Sequence, residues 1–475
     1  MQLDWTATAT PGVTLAKVAK PWRTAEATPG RDTASLVVAE KLLSDEVLSA
    51  ARSEIARLSF DRDADSVDSC PTFEVSWVRE GKYHHAGLAR VFRRTIEEKL
   101  TPLLQAMPDL HGLADGDGLV LCDALVRTYD EGQRRVHPAH YDSQAKVTAV
   151  LEIDMGCGGF SGPGFYVQPD AHVSSRQAVT LTAGDVCAHS FDLQHGVEVS
   201  SGRRCSVVLW YVDSAASCAN GQRPWYDAAA AAGDADAQYS LACHLLADDA
   251  ARARKLMRAA AVQGHFMAQN ALGVLLMHAE MEARKVGDHA GLVGSYGGAG
   301  EELYESAVYL EAERWIRASA DRGYHQAMVN LHTRRMLQGG RAAEALGWLS
   351  QAAEQRADPA TMHTLAAAHR EGDNGCESPD LATARLWFEE AANLGHPPSQ
   401  LEMGRLGGPD VERWLLLASE HGVGEASATL ALRFVRQGEA AKLVELLGRC
   451  WGRLWHGSSK RGAAALPNIP LMAGV

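Results

Sequence analysis

The residues able to do chemistry gather between positions 129 and 206. His140-Tyr141-Asp142 sets an imidazole and a carboxylate two residues apart, and a second imidazole stands in His195-Gly196-Val197. On an extended segment alternate side chains point to the same side, so His140 and Asp142 can reach one metal ion. Two imidazoles and one carboxylate on the ends of strands occupy one face of an octahedral iron and leave the opposite face open. The His-x-Asp pattern alone is weak. Its weight comes from the residues downstream of His195: Gly202, then Arg204-Cys205-Ser206 leading into Val207-Val208-Leu209-Trp210. An arginine and a hydroxyl two apart on a strand face one way, and the guanidinium fork can hold a carboxylate through paired hydrogen bonds. His137 fails as a first ligand because Ala139 stands two residues on, and His189 lacks the glycine and Arg-x-Ser found downstream of His195. Both read as structural or neighbouring histidines. Arg134 and Arg135 read as a solvated loop, and Arg203 as solvent-facing by alternation.

The elements that must position these groups lie between about Leu36 and Ser214. Ser44 with Asp45 and Glu46 caps a helix running to about Leu58, and His85 to Met107 reads as a second helix. Leu119 to Tyr129, Lys146 to Ile153, Gln177 to Leu181, Val186 to Ser190 and Arg204 to Val212 carry the β-branched and aromatic bias of strands. Two helices ahead of many short strands predict helices packed outside a double-sheeted β core.

Over residues 36–214 this set resembles the Fe(II)- and 2-oxoglutarate-dependent dioxygenases of the prolyl 4-hydroxylase-like branch. The resemblance implies a double-stranded β-helix, or jelly roll, with flanking helices. It implies that His140, Asp142 and His195 bind Fe(II). Arg204 and Ser206 would then hold the far carboxylate of 2-oxoglutarate, with Tyr129 of the Tyr-x-x-Gly segment assisting. Gly158-Gly159 resembles the glycine pair after the central strand. O2 is the other cosubstrate, and ascorbate is open as a supporting reductant. Asp142 argues against the halogenating members, which replace the carboxylate by a small residue. Trp210, standing where the nucleic-acid demethylases carry a second arginine, argues against that branch. Hydroxylation of an unactivated C–H is the implied reaction.

Beyond Trp225 the sequence turns Ala- and Leu-rich, with the change falling near Ala215 to Arg223. An aromatic helix ending in small residues and a glycine recurs: Met257 to His265, Trp315 to Gly323, Trp348 to Ala353, Trp387 to His396 and Trp414 to Gly422. The glycine suits the left-handed position that ends a helix, and a nearby alanine (Ala268, Ala327, Ala360, Ala426) opens the next. Arg356 holds the glycine's place in the third copy. The pattern resembles Sel1-like repeats, relatives of the tetratricopeptide class, over residues 226–450, interrupted by a Gly-rich insertion from about Ala279 to Glu302. The resemblance implies an all-α solenoid of paired helices whose surface binds protein or peptide. Its dispersed histidines, His265 and His396 among them, read as repeat positions and not as a second metal site.

A chain of 475 residues suggests about three domain-sized units. The expected division is a loose segment at 1–35, a dioxygenase domain at 36–214, the repeat array at 226–450 and a tail at 451–475. A net charge of −13 supplies no basic field for phosphate backbones, so nucleic acid is not an expected partner. No run approaches the roughly 18 apolar residues of a membrane span. Nine scattered cysteines, never spaced as CxxC, indicate neither a disulfide framework nor a zinc site and point to a reducing, cytoplasmic location. The Ala-, Thr- and Pro-rich run Thr6 to Thr33 leaves an organelle as the alternative. Two functions are compatible with these residues: a hydroxylase of protein or peptide, prolyl residues included, whose repeats recruit substrate or partner, or a hydroxylase of a small metabolite whose repeats scaffold an assembly. A catalytically inactive binding protein is the check on both.

Overall fold

The computed structural model describes all residues except 1–2, 24–31, 62–69, 113–117, 131–132, 157, 288–305, 338–340, 357, 374–375, 377 and 448–475, with backbone alone at 284–287 and 334–337. The expected tail at 451–475 and most of the Gly-rich insertion thus lie outside the described residues.

The N-terminal part is sheet-rich. Its first strands are β1 (Trp5–Ala7), β2 (Val13–Ala19), β3 (Thr33–Ala39), β4 (Phe73–Arg79), β5 (Lys82–Tyr83), β6 (Val120–Tyr129), β7 (Val136–His140) and β8 (Val147–Ile153). After them come β9 (Phe160–Ser161), β10 (Gly164–Val167), β11 (Gln177–Ala178), β12 (Val186–Ser190), β13 (His195–Glu198), β14 (Ser201–Gly202) and β15 (Arg204–Val212). One nine-stranded sheet runs β1-β2-β3-β12-β8-β15-β6-β4-β5, and a four-stranded sheet runs β11-β10-β13-β7.

Alternation divides the large sheet into two faces. Val147, Ala149, Leu151 and Ile153 of β8, with Val207, Leu209 and Tyr211 of β15, bury against Leu48 and Ile55 of helix Asp45–Ile55 and Leu88 and Phe92 of helix Ala86–Thr95. Ser44 caps the first of these helices through the Val47 amide. The second continues through a π turn at Ile96–Leu100 into Thr101–Gln105. On the opposite face Val150 and Cys187 pack with Phe165 and Val167 of the small sheet. The polar residues of that face, Thr148, Glu152, Arg204 and Ser206, are therefore held between the sheets.

Three expectations are corrected. Residues 1–35 are not all loose: β2 pairs along its length with β3, and Trp22 and Lys20 are buried. Val13, Leu15 and Val18 supply that strand, hidden in the sequence by the Ala, Thr and Pro around it. Cys122 and Cys218 form a disulfide, a bond rare in reducing compartments. Their separation of 96 in the chain leaves no local spacing to read. Arg134 is buried and donates from Nε to the Val136 carbonyl at 2.8 Å, so it is no solvated loop residue. Near the expected boundary at 215–223, helix Ala215–Asn220 is followed by helix Pro224–Ala231, and Trp225 and Tyr226 share a core with Phe191 and Val212.

The C-terminal part is helical. Successive helices bury local clusters along the chain: Met257 with Phe266, Ile316 with Leu331, Leu349 with Met362, Phe388 with Met403, and Leu415 with Leu430. Such short-range burial is how repeat arrays hold together. Gly264, Gly323, Gly395 and Gly422 all take positive φ of 86–99°, and Arg356, in the glycine's place, takes 53°. Several of these turns face the sheet-rich part. A Cβ on Gly395 would lie 2.2 Å from the Gln133 carbonyl oxygen, and one on Gly323 would lie 2.8 Å from the His172 side chain. The Arg135 amide donates to the Leu394 carbonyl, and His421 stands edge-on to Phe73. No helix of the described residues is long and apolar enough to cross a membrane.

Candidate metal centre

Strand register brings the two predicted histidines together: His195 of β13 lies directly opposite His140 of β7, next to a bulge between His195 and Val197. Directly opposed residues share a face, so the imidazoles stand side by side with centroids 4.6 Å apart. Asp142, just past the end of β7, turns its carboxylate between them. Its Oδ1 lies 3.5 Å from His140 Nε2 and its Oδ2 3.5 Å from His195 Nε2. The three ligand atoms lie within 4.8 Å of one another, a span that one metal at about 2.1 Å from each can bridge.

The far side of each ring fixes which nitrogen is offered. His140 Nδ1 sits 2.9 Å from the Pro138 carbonyl and His195 Nδ1 3.2 Å from that of Leu193. Donating there leaves the Nε2 lone pairs for a metal. Thr148 of β8 donates to Asp142 Oδ2 at 2.6 Å and holds the carboxylate in place. Burial alone would push Asp142 up, but His195, His140 and His189 hold it well below the usual carboxylate range. Burial, with His189 beside it, holds His195 well below the usual imidazole value against the pull of Asp142.

His189 of β12, a mere structural neighbour by its sequence context, stands at the centre itself. Its ring lies 4.1 Å from that of His195, its Nδ1 faces the Ser190 carbonyl, and its buried Nε2 has no hydrogen-bond partner, 3.8 Å from Asp142 Oδ2. An orphaned imidazole nitrogen beside two others and a carboxylate is the donor chemistry of a metal pocket, and the residues present fit such an ion. His137 stacks obliquely on His140 at 4.2 Å, with its Nδ1 3.4 Å from Arg127 Nη1.

Arg204, Ser206 and Tyr129 also come together. Arg204 faces Tyr129 across β15 and β6, its guanidinium carbon is 5.9 Å from the ring centroid, and its Nη1 donates to Ser206 Oγ at 3.4 Å. The group has a fourth member that the Arg-x-Ser motif does not announce. Glu152 of β8 accepts from Arg204 Nη2 at 2.7 Å, with both side chains almost fully buried. Its only signal in the sequence is a single charge in the otherwise uncharged strand Val147–Ile153. Arg204 Nε is buried without an acceptor, an orphaned donor that fits an arriving carboxylate. Arg203 lies outside the strand, half-buried beside Asp130.

A second charged cluster braces the centre from the repeat side. Lys20 Nζ, just past β2, lies 2.9 Å from Asp192, 2.5 Å from Asp236 and 3.8 Å from Asp234, all four side chains buried. Asp192 stands between β12 and His195. Asp234 caps helix Ala235–Leu245 through the Ala237 amide, and Asp236 lies in that helix's first turn. Tyr141, between His140 and Asp142, donates its hydroxyl to Asp236 Oδ1 at 2.8 Å, while His265 Nε2 lies 3.4 Å from the same oxygen. Burial would push the Lys20 ammonium down, but Asp192, Asp236 and Asp234 together carry it above its ordinary value.

No family model matches the sequence, and no curated protein matches it. Among solved structures, the chain is similar to an oxidoreductase of the 2OG-Fe(II) oxygenase family from Burkholderia pseudomallei, at 15% identity and a TM-score of 0.31 over 38% of this chain and 86% of that one. It is similar to a prolyl-4-hydroxylase from Pseudomonas putida, at 15% identity and a TM-score of 0.25 over 37% and 91%. It is also similar to a Sel1 repeat protein from Oxalobacter formigenes, at 21% identity and a TM-score of 0.31 over 41% and 74%. Its structural neighbours thus include both 2OG-Fe(II) oxygenase family proteins and Sel1 repeat proteins.

Proposed function

We propose that residues 36–214 form an Fe(II)- and 2-oxoglutarate-dependent dioxygenase on a double-stranded β-helix, hydroxylating an unactivated C–H, and that residues 226–450 are a Sel1-like array. The observation that carries this is the convergence of His140, Asp142 and His195, each imidazole turned by a backbone carbonyl so that Nε2 faces the carboxylate. Iron with 2-oxoglutarate supplies the chemistry that activates O2 toward C–H bonds. The chain's own part is positional: Thr148 fixes Asp142, and Arg204 with Ser206 and Tyr129 offers the seat for the distal carboxylate. In this reading the substrate is a polypeptide presenting one side chain, prolyl residues included, and the array recruits it or a partner protein.

A second reading, a small metabolite as substrate, is favoured by the burial of the ligands, whose side chains are only 7–14% exposed. Incubation with Fe(II), 2-oxoglutarate and either a proteome digest or a metabolite extract, read by mass spectrometry for the mass gain of one oxygen, separates the two. His140→Ala should lose both the product and tight Mn(II) binding. Undiminished Mn(II) affinity in that variant would overturn the assignment of the metal centre.

A further inference from the structure

Glu152 already holds one nitrogen of the Arg204 guanidinium, the group that would receive a cosubstrate's carboxylate. We propose that Glu152 is a resident carboxylate in this seat, which takes up one proton from solvent when the distal carboxylate of 2-oxoglutarate binds Arg204. The inference rests on the dioxygenase reading above.

The geometry leaves one buried nitrogen of the guanidinium without an acceptor. Nη2 is held by Glu152 and Nη1 by Ser206, while Nε faces Gly164, whose Cβ position is 4.0 Å away, and the rings of Phe160 and Tyr129 each stand 5.9 Å from the guanidinium carbon. A carboxylate reaching Nε would share a single positive charge with Glu152. Two carboxylates on this one buried guanidinium repel each other, and the resident one, which lies in the drier position, takes the proton.

Turning away offers Glu152 no relief. Its backbone N–H is tied to the Asp185 carbonyl, and the groups around it are Ser206 across β15, Cys187 and Asp185 toward β12, and Asp154 farther along its own segment. These, and Cys205 beside Arg204, are neutral or acidic, so among the described residues a swung carboxylate would find no other cation there. Burial already pushes the Glu152 carboxyl upward against the pull of Arg204. The balance is simple: one solvent proton joins Glu152, the resulting O–H donates to the incoming carboxylate, and the proton returns to solvent when the ligand leaves.

The test is anaerobic calorimetric titration of full-length, Mn(II)-loaded protein with 2-oxoglutarate near pH 7.5, in two buffers of different ionisation heat. At that pH 2-oxoglutarate itself is fully ionised. Wild type should take up close to one proton, and Glu152→Gln should take up none while binding about tenfold tighter. Wild-type binding with the same heat in both buffers overturns the inference and leaves the dioxygenase reading standing. No 2-oxoglutarate binding to wild type overturns both. The wild-type buffer comparison decides even if Glu152→Gln folds poorly.

Discussion

Lys20→Met removes the one ammonium among Asp192, Asp234 and Asp236 while keeping most of the side chain's volume. Nζ makes two close ion contacts, at 2.9 and 2.5 Å, among buried side chains. Hydrogen bonds to charged groups contribute about 1.5–3 kcal/mol each, and breaking a buried pair leaves its partner charged and unpaired at a cost of about 3–5 kcal/mol. We therefore expect a loss of about 3–5 kcal/mol, read as a lowered midpoint in urea denaturation. The damage should reach the metal centre, because Asp192 lies three residues before His195 and Asp236 holds Tyr141 between the other two ligands. Mn(II) affinity, measured by the electron paramagnetic resonance of the free ion, should fall as well. Adding Asp236→Asn to Lys20→Met removes one stranded charge and should recover part of the stability. An unchanged urea midpoint together with unchanged Mn(II) binding would refute the reasoning.

Two further outcomes are expected from named groups. Burial pushes the Asp234 carboxyl up to about 6 despite Lys20, with Asp236 and Asp192 adding to the rise. An acid raised in the folded state stabilises below its unfolded value, near 4, and that contribution drains away as pH climbs through about 6. Asp234→Asn, which can still cap its helix, should thus gain on wild type by up to about 3 kcal/mol between pH 4 and pH 8, measured by urea midpoints at each pH. Equal pH profiles would place that charge elsewhere. Arg356→Gly relieves a left-handed residue at φ 53° where the other repeats carry glycine, and should raise stability by up to about 1 kcal/mol, visible in thermal melting; a lower melting temperature would show that the arginine side chain matters more than its backbone.

The proposed metal ligands are legible in the sequence because their chemistry restricts them to few residue types and because His-x-Asp spacing on an extended chain is a local property. That His140 and His195 are cross-strand partners is not local, and only the β7 and β13 register supplies it. Glu152 stands in plain view as a charge in a buried strand, but its partner depends on the pairing of β8 with β15, which no spacing reveals. The repeats are legible down to the left-handed turn, since one glycine position recurs and Arg356 marks it even where glycine is absent. Lys20, Asp192, Asp234 and Asp236 carry no such pattern, because they come from distant stretches and become informative only when the chain has folded around them.

The array's turns change what the repeats can be for. In sequence terms the glycine and the residue after it serve only to end one helix and start another. In the structure His265 lies 3.5 Å from the Tyr141 hydroxyl, Gly323 lies on His172, Gly395 on Gln133 and His421 on Phe73, so turns along the array rest on the sheet-rich part. Those turns are already engaged within the chain, so recruitment of a polypeptide by the array, as proposed, would have to use other surfaces. The metal centre is in turn braced from two directions. Thr148 of the large sheet holds the Asp142 carboxylate, and Asp236 of the first array helices holds the Tyr141 hydroxyl one residue away. Each side holds a different residue of the segment from His140 to Asp142, so the sheet-rich part and the helical part support the proposed centre together.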